Sequence, residues 1–308
     1  MTTTTAATAV ASPAPVASLD SYSALVPQVR FSGVAALFET LAALPAVCDG
    51  LVVGGVSAKA FQAIAAERDR RGRRLRLMFL PSTGCAIITI PTAPHERAHV
   101  TLYVQVARAV EDMVPVGEWE AFGATTMPMS GMSAAGQGEG DSGGGPRIRG
   151  DGSEVPWPTI VIEAGTTQTL SSLRVKARWW FEASAYKVKV MVLVKVIRAT
   201  HVLHIEKWTA AAATTPRRGA TTTRASHMAQ AVPTMEQLVI VRWAGALPLP
   251  QVRRLDRTFS DFQVEGAPLV LHFHELMDRA PVAGTSEQDV LISERDLQVV
   301  ARQVWSWE

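Results

Sequence analysis

The stretch from residue 158 to residue 208 constrains the fold most, because it lays apolar segments of two different periods side by side. "TIVIEA" is short and continuously apolar, like a buried strand, and "TLSSLRVKARWWFEAS" repeats Leu170, Leu173, Ala177 and Trp180 at helical spacing. "KVKVMVLVKVI" and "THVLHIEKW" read as two further strands. The turn after the first strand is short, so the helix folds back beside the strand's end and one of its faces overlooks Glu163. This pattern predicts an α/β fold, a central mixed sheet flanked by helices. With 308 residues, 47% of them hydrophobic, the chain can bury a substantial core.

Upstream, Val34, Leu37, Phe38, Leu41 and Leu44 mark an amphipathic helix that stops near Pro45. "ERDRRGRRLRLMF" carries six arginines, but Glu67, Asp69 and Gly72 make it read as a solvated turn before the strand pair "RLRLMFL" and "CAIITIP". From Pro94 to Met113 the apolar residues fit either period, and length together with the opening proline favours a helix. "EWEAFGATT" reads as a strand. Residues 1–30 read as a disordered leader, the glycine-rich residues 127–156 as a flexible loop, and 209–235 as a low-complexity insertion. These divisions leave a core over 31–208 and a C-terminal extension over 236–308 that packs on it. That extension ends in a helix with a capping box from Ser293 to Asp296.

Bulk properties narrow the function only a little. Thirty basic residues against 28 acidic ones give a net charge of +2, too mild to mark a nucleic-acid binder by itself. Cys48 and Cys85 offer neither a disulfide framework nor a metal knuckle, which fits an intracellular setting, cytoplasm or nucleus. No apolar run is long enough for a membrane span, so no membrane partner is expected. Oligomeric state is not encoded in any visible pattern.

His95-Glu96-Arg97-Ala98-His99 matches the HExxH pattern, in which two histidines four apart reach one Zn²⁺ and the glutamate polarises a bound water. The context argues against zinc. Pro94 puts His95 in a first, fraying turn, Arg97 sets a cation within the motif, and the motif does not continue to a glycine and third histidine; Glu118 or Glu120 offers a distant carboxylate. The two imidazoles are therefore not expected to converge with a third ligand, and a zinc metalloprotease is the third-ranked reading.

Another constellation uses the same glutamate. Glu96 opens a helix, Asp141 lies in "GEGDSGGGP", Glu163 ends "PTIVIEA" and Lys176 lies on the next helix. Carboxylates of this kind hold Mg²⁺ through hard oxygens, and an ammonium assists in neutralising phosphate charge. Read without any relative, Asp141 is an ordinary polar residue of a glycine loop, Lys176 a surface lysine, and Trp179 and Trp180 core residues. An acid directly after Ile160, Val161 and Ile162 is costly to bury unless paired or metal-bound, which singles out Glu163.

Together "PHERAH", "FGATT", "GEGDSGGGP", "WPTIVIEAG", "TLSSLRVKARWWFEAS", "VKVMVLVKV" and "HIEKW" resemble fungal proteins related to the bacterial restriction endonucleases of the PD-(D/E)XK superfamily, over residues 31–208. The tail "APLVLHFHELMDRAP" through "VWSW" resembles the same fungal proteins. The resemblance implies a restriction-endonuclease-like core with disordered insertions and a Mg²⁺-dependent nuclease acting on nucleic acid, DNA ahead of RNA. It implies Asp141 and Glu163 as metal-binding acids, Lys176 as the catalytic base-side cation, and Glu96 as accessory acid. Gly140 stands where the superfamily has proline and Gly165 where it has lysine; the basic group then comes from Lys176, four residues before Trp180. Those departures also admit a catalytically inactive binding or scaffold protein of the same fold. For an active enzyme, Asp141 and Glu163 are expected to share one cation, and Lys176→Met to abolish cleavage with folding intact.

Overall fold

The computed structural model describes residues 19–128, 136–147, 156–211, 232–245 and 261–307. Two sheets carry the architecture. The first orders its strands β1 (Val29–Arg30), β2 (Gly50–Gly54), β4 (Cys85–Thr89), β3 (Arg76–Leu80), β7 (Gln137–Glu139) and β6 (Thr126–Pro128), parallel only at β1–β2. The second runs β13 (Phe262–Glu265), β12 (Val232–Trp243), β11 (Val202–Ala211), β10 (Val190–Ile197), β9 (Ile160–Gly165), β8 (Ser142–Pro146) and β5 (Trp119–Ala121). Only β9 and β10 are parallel there. Parallel neighbours need a crossover, and helix α4 (Leu170–Ala183) supplies it. A mixed α/β architecture is what the strand–helix–strand run predicts.

The burial pattern resolves these elements into layers. Leu51, Val53, Leu77, Phe79 and Ile88 face helices α1 (Val34–Ala43) and α2 (Ala58–Arg70) on one side of the first sheet. Val52, Met78, Leu80 and Ile87, the alternate residues, face α4 on the other. From the opposite side α4 meets Val161, Met191 and Leu193 of the second sheet. The remaining face of that sheet, through Ile160, Ile162, Val192 and Val194, packs under α3 (Ala93–Glu111) and the C-terminal helix Glu294–Val304. Helix α4 therefore lies between two sheets, which is why Leu173, Val175, Lys176, Ala177, Trp179, Trp180 and Phe181 are all buried. Lys176 is a core residue here, not a surface lysine, while Trp179 and Trp180 are core as read.

Three sequence readings change. Residues 19–30 are not a disordered leader: Leu19 and Leu25 are buried against α4's cluster, Tyr22 donates to Glu182 (2.6 Å), and β1 pairs with β2. The glycine-rich segment is not simply a loop, since β7 and β8 fall inside it. Glycine is needed there for packing: a Cβ on Gly138 would lie 2.7 Å from the Trp179 ring, and one on Gly144 2.5 Å from the Trp119 ring. Composition alone cannot separate a glycine kept for flexibility from one kept so that a tryptophan can rest on the backbone. Finally, β11 and β12 pair as far as Ala211 and Val232, so the ends of the segment read as an insertion over 209–235 belong to the sheet. The rest of that segment, the first eighteen residues, and 129–135 with 148–155 lie outside the described residues. No helix among the described residues is long and apolar enough to cross a membrane.

Candidate functional site

Helix α3 starts with Thr92 as N-cap and Pro94 in its first turn, as the sequence suggests, but this turn is not frayed. It is buried against a clamp made by Asp49, the residue before β2. The Asp49 carboxylate accepts the backbone N–H groups of Thr166, Thr167 and Gln168 and the Thr167 hydroxyl, fixing the turn between β9 and α4. Its Oδ2 also lies 3.2 Å from His95 Nδ1. One turn along α3, His99 Nδ1 is 2.8 Å from Ser142 Oγ and its Nε2 is 3.2 Å from Glu96 Oε1. Both imidazoles are fully enclosed, with ring centroids 5.3 Å apart.

Asp141 completes the group. Its Oδ2 accepts from Ala164 N–H (2.8 Å), while Oδ1 faces His95 Nε2 at 3.2 Å and Arg76 Nη1 at 3.4 Å. Donor atoms of His95, His99 and Asp141 lie within 4.8 Å of one another, so the group can hold a metal ion. This corrects the expectation that the imidazoles would not meet a third ligand. Asp141 arrives from a distant strand instead of from Glu118 or Glu120, and Arg97 turns away to bond the Gln303 carbonyl (3.1 Å) and Ser306.

The second acid sits one layer deeper. Ser142 pairs with Ile162 across β8 and β9, so the register carried one step further sets Asp141 opposite Glu163. Glu163 Oε1 accepts from Trp180 Nε1 (2.9 Å), and its Oε2 is paired with Lys176 Nζ, which also donates to Thr89 Oγ1 (3.3 Å). The structure thus brings Asp141, Glu163 and Lys176 together. It does not prepare a Mg²⁺ site bridging the two acids, because Glu163 is engaged at both oxygens and Asp141 keeps only Oδ1 for an ion. Glu96 stands at the rim, bonded to Arg76 Nη1 (2.7 Å).

Burial opposes every charge in this cluster, and the partners decide the outcome. For His95, burial disfavours the imidazolium, yet Asp141 and Asp49 outweigh it and raise the pKa to about 9. Asp141 is held well below the usual carboxylate range, against burial, by His95 and Lys176. Glu163 is pushed up to about 7 by burial, aided by the charge of Asp141 and opposed by Lys176. Burial pulls Lys176 down, but Glu163 and Asp141 hold its ammonium above the ordinary value. Glu96 drops to about 2, burial notwithstanding, through His99 and Arg76.

A groove of about 780 Å³ opens at the rim, where Glu96 and Arg76 meet Arg68, Arg73 and Arg74. Arg68 is not a free surface charge, since it pairs with Glu139 (2.6 Å), and Arg76 is built into the cluster. The reading of this arginine run as solvated holds for the exposed Arg70, Arg71, Arg73 and Arg74 and fails for Arg68 and Arg76. Asp49, Arg76, Ser142 and Thr89 are the members that sequence reasoning missed. Asp49 clamps residues more than a hundred positions away, so no local pattern announces it; Arg76, the last arginine before an apolar strand, offered a faint signal. No family model and no curated protein sequence matches the chain.

Proposed function

We propose that the chain is a metal-dependent phosphodiesterase acting on nucleic acid, of the restriction-endonuclease-like type. The observation that supports this reading best is the meeting of Asp141, just before β8, Glu163 of the adjacent β9, and Lys176 of the helix that follows β9, beside His95 and His99. A metal ion held by His95, His99 and Asp141 would supply Lewis-acid polarisation of the phosphate and of the attacking water. Mg²⁺, the ion anticipated from the acids, would bridge Asp141 and Glu163 only if Lys176 released Glu163. Lys176, fixed by Glu163 and Thr89, offers a preorganised positive charge where negative charge develops. Glu163, pushed up to about 7, suits proton transfer near neutrality, whereas Glu96 stays ionised at the groove, held by Arg76 and His99. Arg73 and Arg74 line the approach for a polyanion.

One observation favours the alternative of a non-catalytic binding module: His95, His99, Asp141, Glu163 and Lys176 are all at most 3% exposed, so only Glu96 and Arg76 meet the groove. Proteolysis fits less well, because the Glu96 carboxylate is committed to Arg76 and His99. Purified protein is assayed on plasmid and single-stranded substrates, with casein as control, in Mg²⁺, Mn²⁺, Zn²⁺ or EDTA. Metal-dependent cleavage lost in Glu163→Gln supports the enzyme. Retention of nucleic acid without cleavage under every metal favours the module.

A further inference from the structure

We infer that His95, His99 and Asp141 form a binding site for one borderline divalent transition ion, of the Zn²⁺ or Co²⁺ kind, in preference to Mg²⁺. Two imidazole nitrogens and one carboxylate oxygen are a donor set for such ions, whereas Mg²⁺ takes oxygen ligands and retains water. The inference goes beyond the phosphodiesterase reading and stands without it.

Three further features point the same way. His95 Nε2 and Asp141 Oδ1 are buried and face each other at 3.2 Å without closing a hydrogen bond, and Asp141 Oδ1 has besides it only the Arg76 guanidinium at 3.4 Å. The far nitrogen of each imidazole is already held: His95 Nδ1 by the Asp49 carboxylate and His99 Nδ1 by the Ser142 hydroxyl. Metal-ligating histidines are oriented in this way, the outer partner fixing the tautomer; His95 Nε2 is left open to the ion, and His99 Nε2 reaches it by exchanging its contact with Glu96 Oε1 (3.2 Å) for the ion. Charge balance supplies the third feature. Asp49, Glu96, Asp141 and Glu163 gather around Arg76 and Lys176, an excess of two carboxylates that a divalent ion would offset in place of the proton His95 shares with Asp49 and Asp141. Ligand distances of about 2.0–2.2 Å would require the three donors, now within 4.8 Å of one another, to draw together around the ion. Asp49 is then a positioning residue, and it ties the ion to the β9–α4 turn.

The test uses the full-length protein stripped of metal. Co²⁺ is titrated as the visible probe and Zn²⁺, Mn²⁺ and Mg²⁺ as competitors, with no substrate present. The expected result is one Co²⁺ per chain with a ligand-field spectrum of mixed nitrogen and oxygen coordination, displaced by equimolar Zn²⁺ and not by millimolar Mg²⁺. Asp49→Asn should weaken binding by about 10–100-fold, and His99→Ala by more, with circular dichroism confirming that both variants fold. Displacement by Mg²⁺ at parity, or a spectrum and stoichiometry unchanged in a folded His99→Ala, overturns the site. Because the wild-type spectrum alone decides the ligand type, a variant that fails to fold leaves the test intact. A protein that binds as stated and cleaves nothing sinks only the phosphodiesterase reading; Mg²⁺-dependent cleavage without Co²⁺ or Zn²⁺ binding sinks only this one.

Discussion

Lys176 is 1% exposed and its ammonium rests on a fully buried carboxylate, so its replacement affects folding as well as chemistry. Removing one member of a buried pair strands the other charge, a loss of about 3–5 kcal/mol. Lys176→Met is therefore expected to destabilise the protein by that amount near pH 8, contrary to the sequence expectation of intact folding. The pH dependence has a definite sign. Glu163 already titrates above its unfolded value, and without Lys176 it rises further. An acid with a raised folded pKa loses stability above its unfolded pKa and regains it as pH falls through the folded one. Urea unfolding of Lys176→Met at pH 8 and pH 6 should show the deficit shrinking at the lower pH; an equal deficit at both would show that Glu163 does not carry the stranded charge. Glu163→Gln/Lys176→Met, with neither charge, should recover much of the loss.

At the scale of elements, the glycines of β7 and β8 let Trp179 of α4 and Trp119 of β5 lie on the sheet. Gly144→Ala forces a Cβ to within 2.5 Å of the Trp119 ring and 2.6 Å of the Tyr103 hydroxyl. Overpacking of this kind costs about 1–3 kcal/mol, so the thermal midpoint should fall. Gly72→Ala, with open space around its Cβ site, serves as a comparison in which only backbone strain acts, since φ is +60° there. The C-terminal helix supplies a milder case. Ser293 accepts from Asp296 N–H and Asp296 accepts from Ser293 N–H, a closed capping box. Ser293→Ala is expected to cost about 1 kcal/mol in chemical denaturation, with Leu297 and Val300 still docked under the second sheet.

Over the whole molecule, acids that bind cations or N–H groups link stability to pH. Glu206, on β11, is lowered to about 2: burial raises it, but His204, Arg174 and Trp208 prevail. Asp49 is likewise held far below its ordinary range despite burial, through His95 and the β9–α4 turn. Groups with depressed folded pKa values stabilise the protein above their unfolded pKa, and that contribution is lost as pH falls toward the folded one. The thermal midpoint should therefore decline between about pH 4.5 and pH 2. Glu206→Gln should flatten that decline while lowering the midpoint at neutral pH. A slope as steep as in the parent chain would remove Glu206 from the acid-sensitive set.

Local chemistry made parts of this protein legible from sequence. The apolar run ending at Glu163, the helical stripe through Leu173 and Trp180, the proline-opened helix at His95 and the box at Ser293 each follow from periodicity or capping within a few residues, where short-range physics dominates. The placement of Lys176 toward Glu163 followed as well, because one short turn joins their elements. What tertiary structure alone decided is which faces are covered and which distant groups meet. Packing between two sheets turned α4 from an amphipathic helix into a core helix, and tryptophans resting on β7 and β8 turned a glycine run into strands. Asp49 reached across more than a hundred residues to clamp the β9–α4 turn while holding His95, and Asp141 brought a third donor to a histidine pair whose own neighbourhood offered none. Desolvation and long-range charge pairing act through space, so neither the convergence of the donors nor the direction of their pKa shifts could be read along the chain.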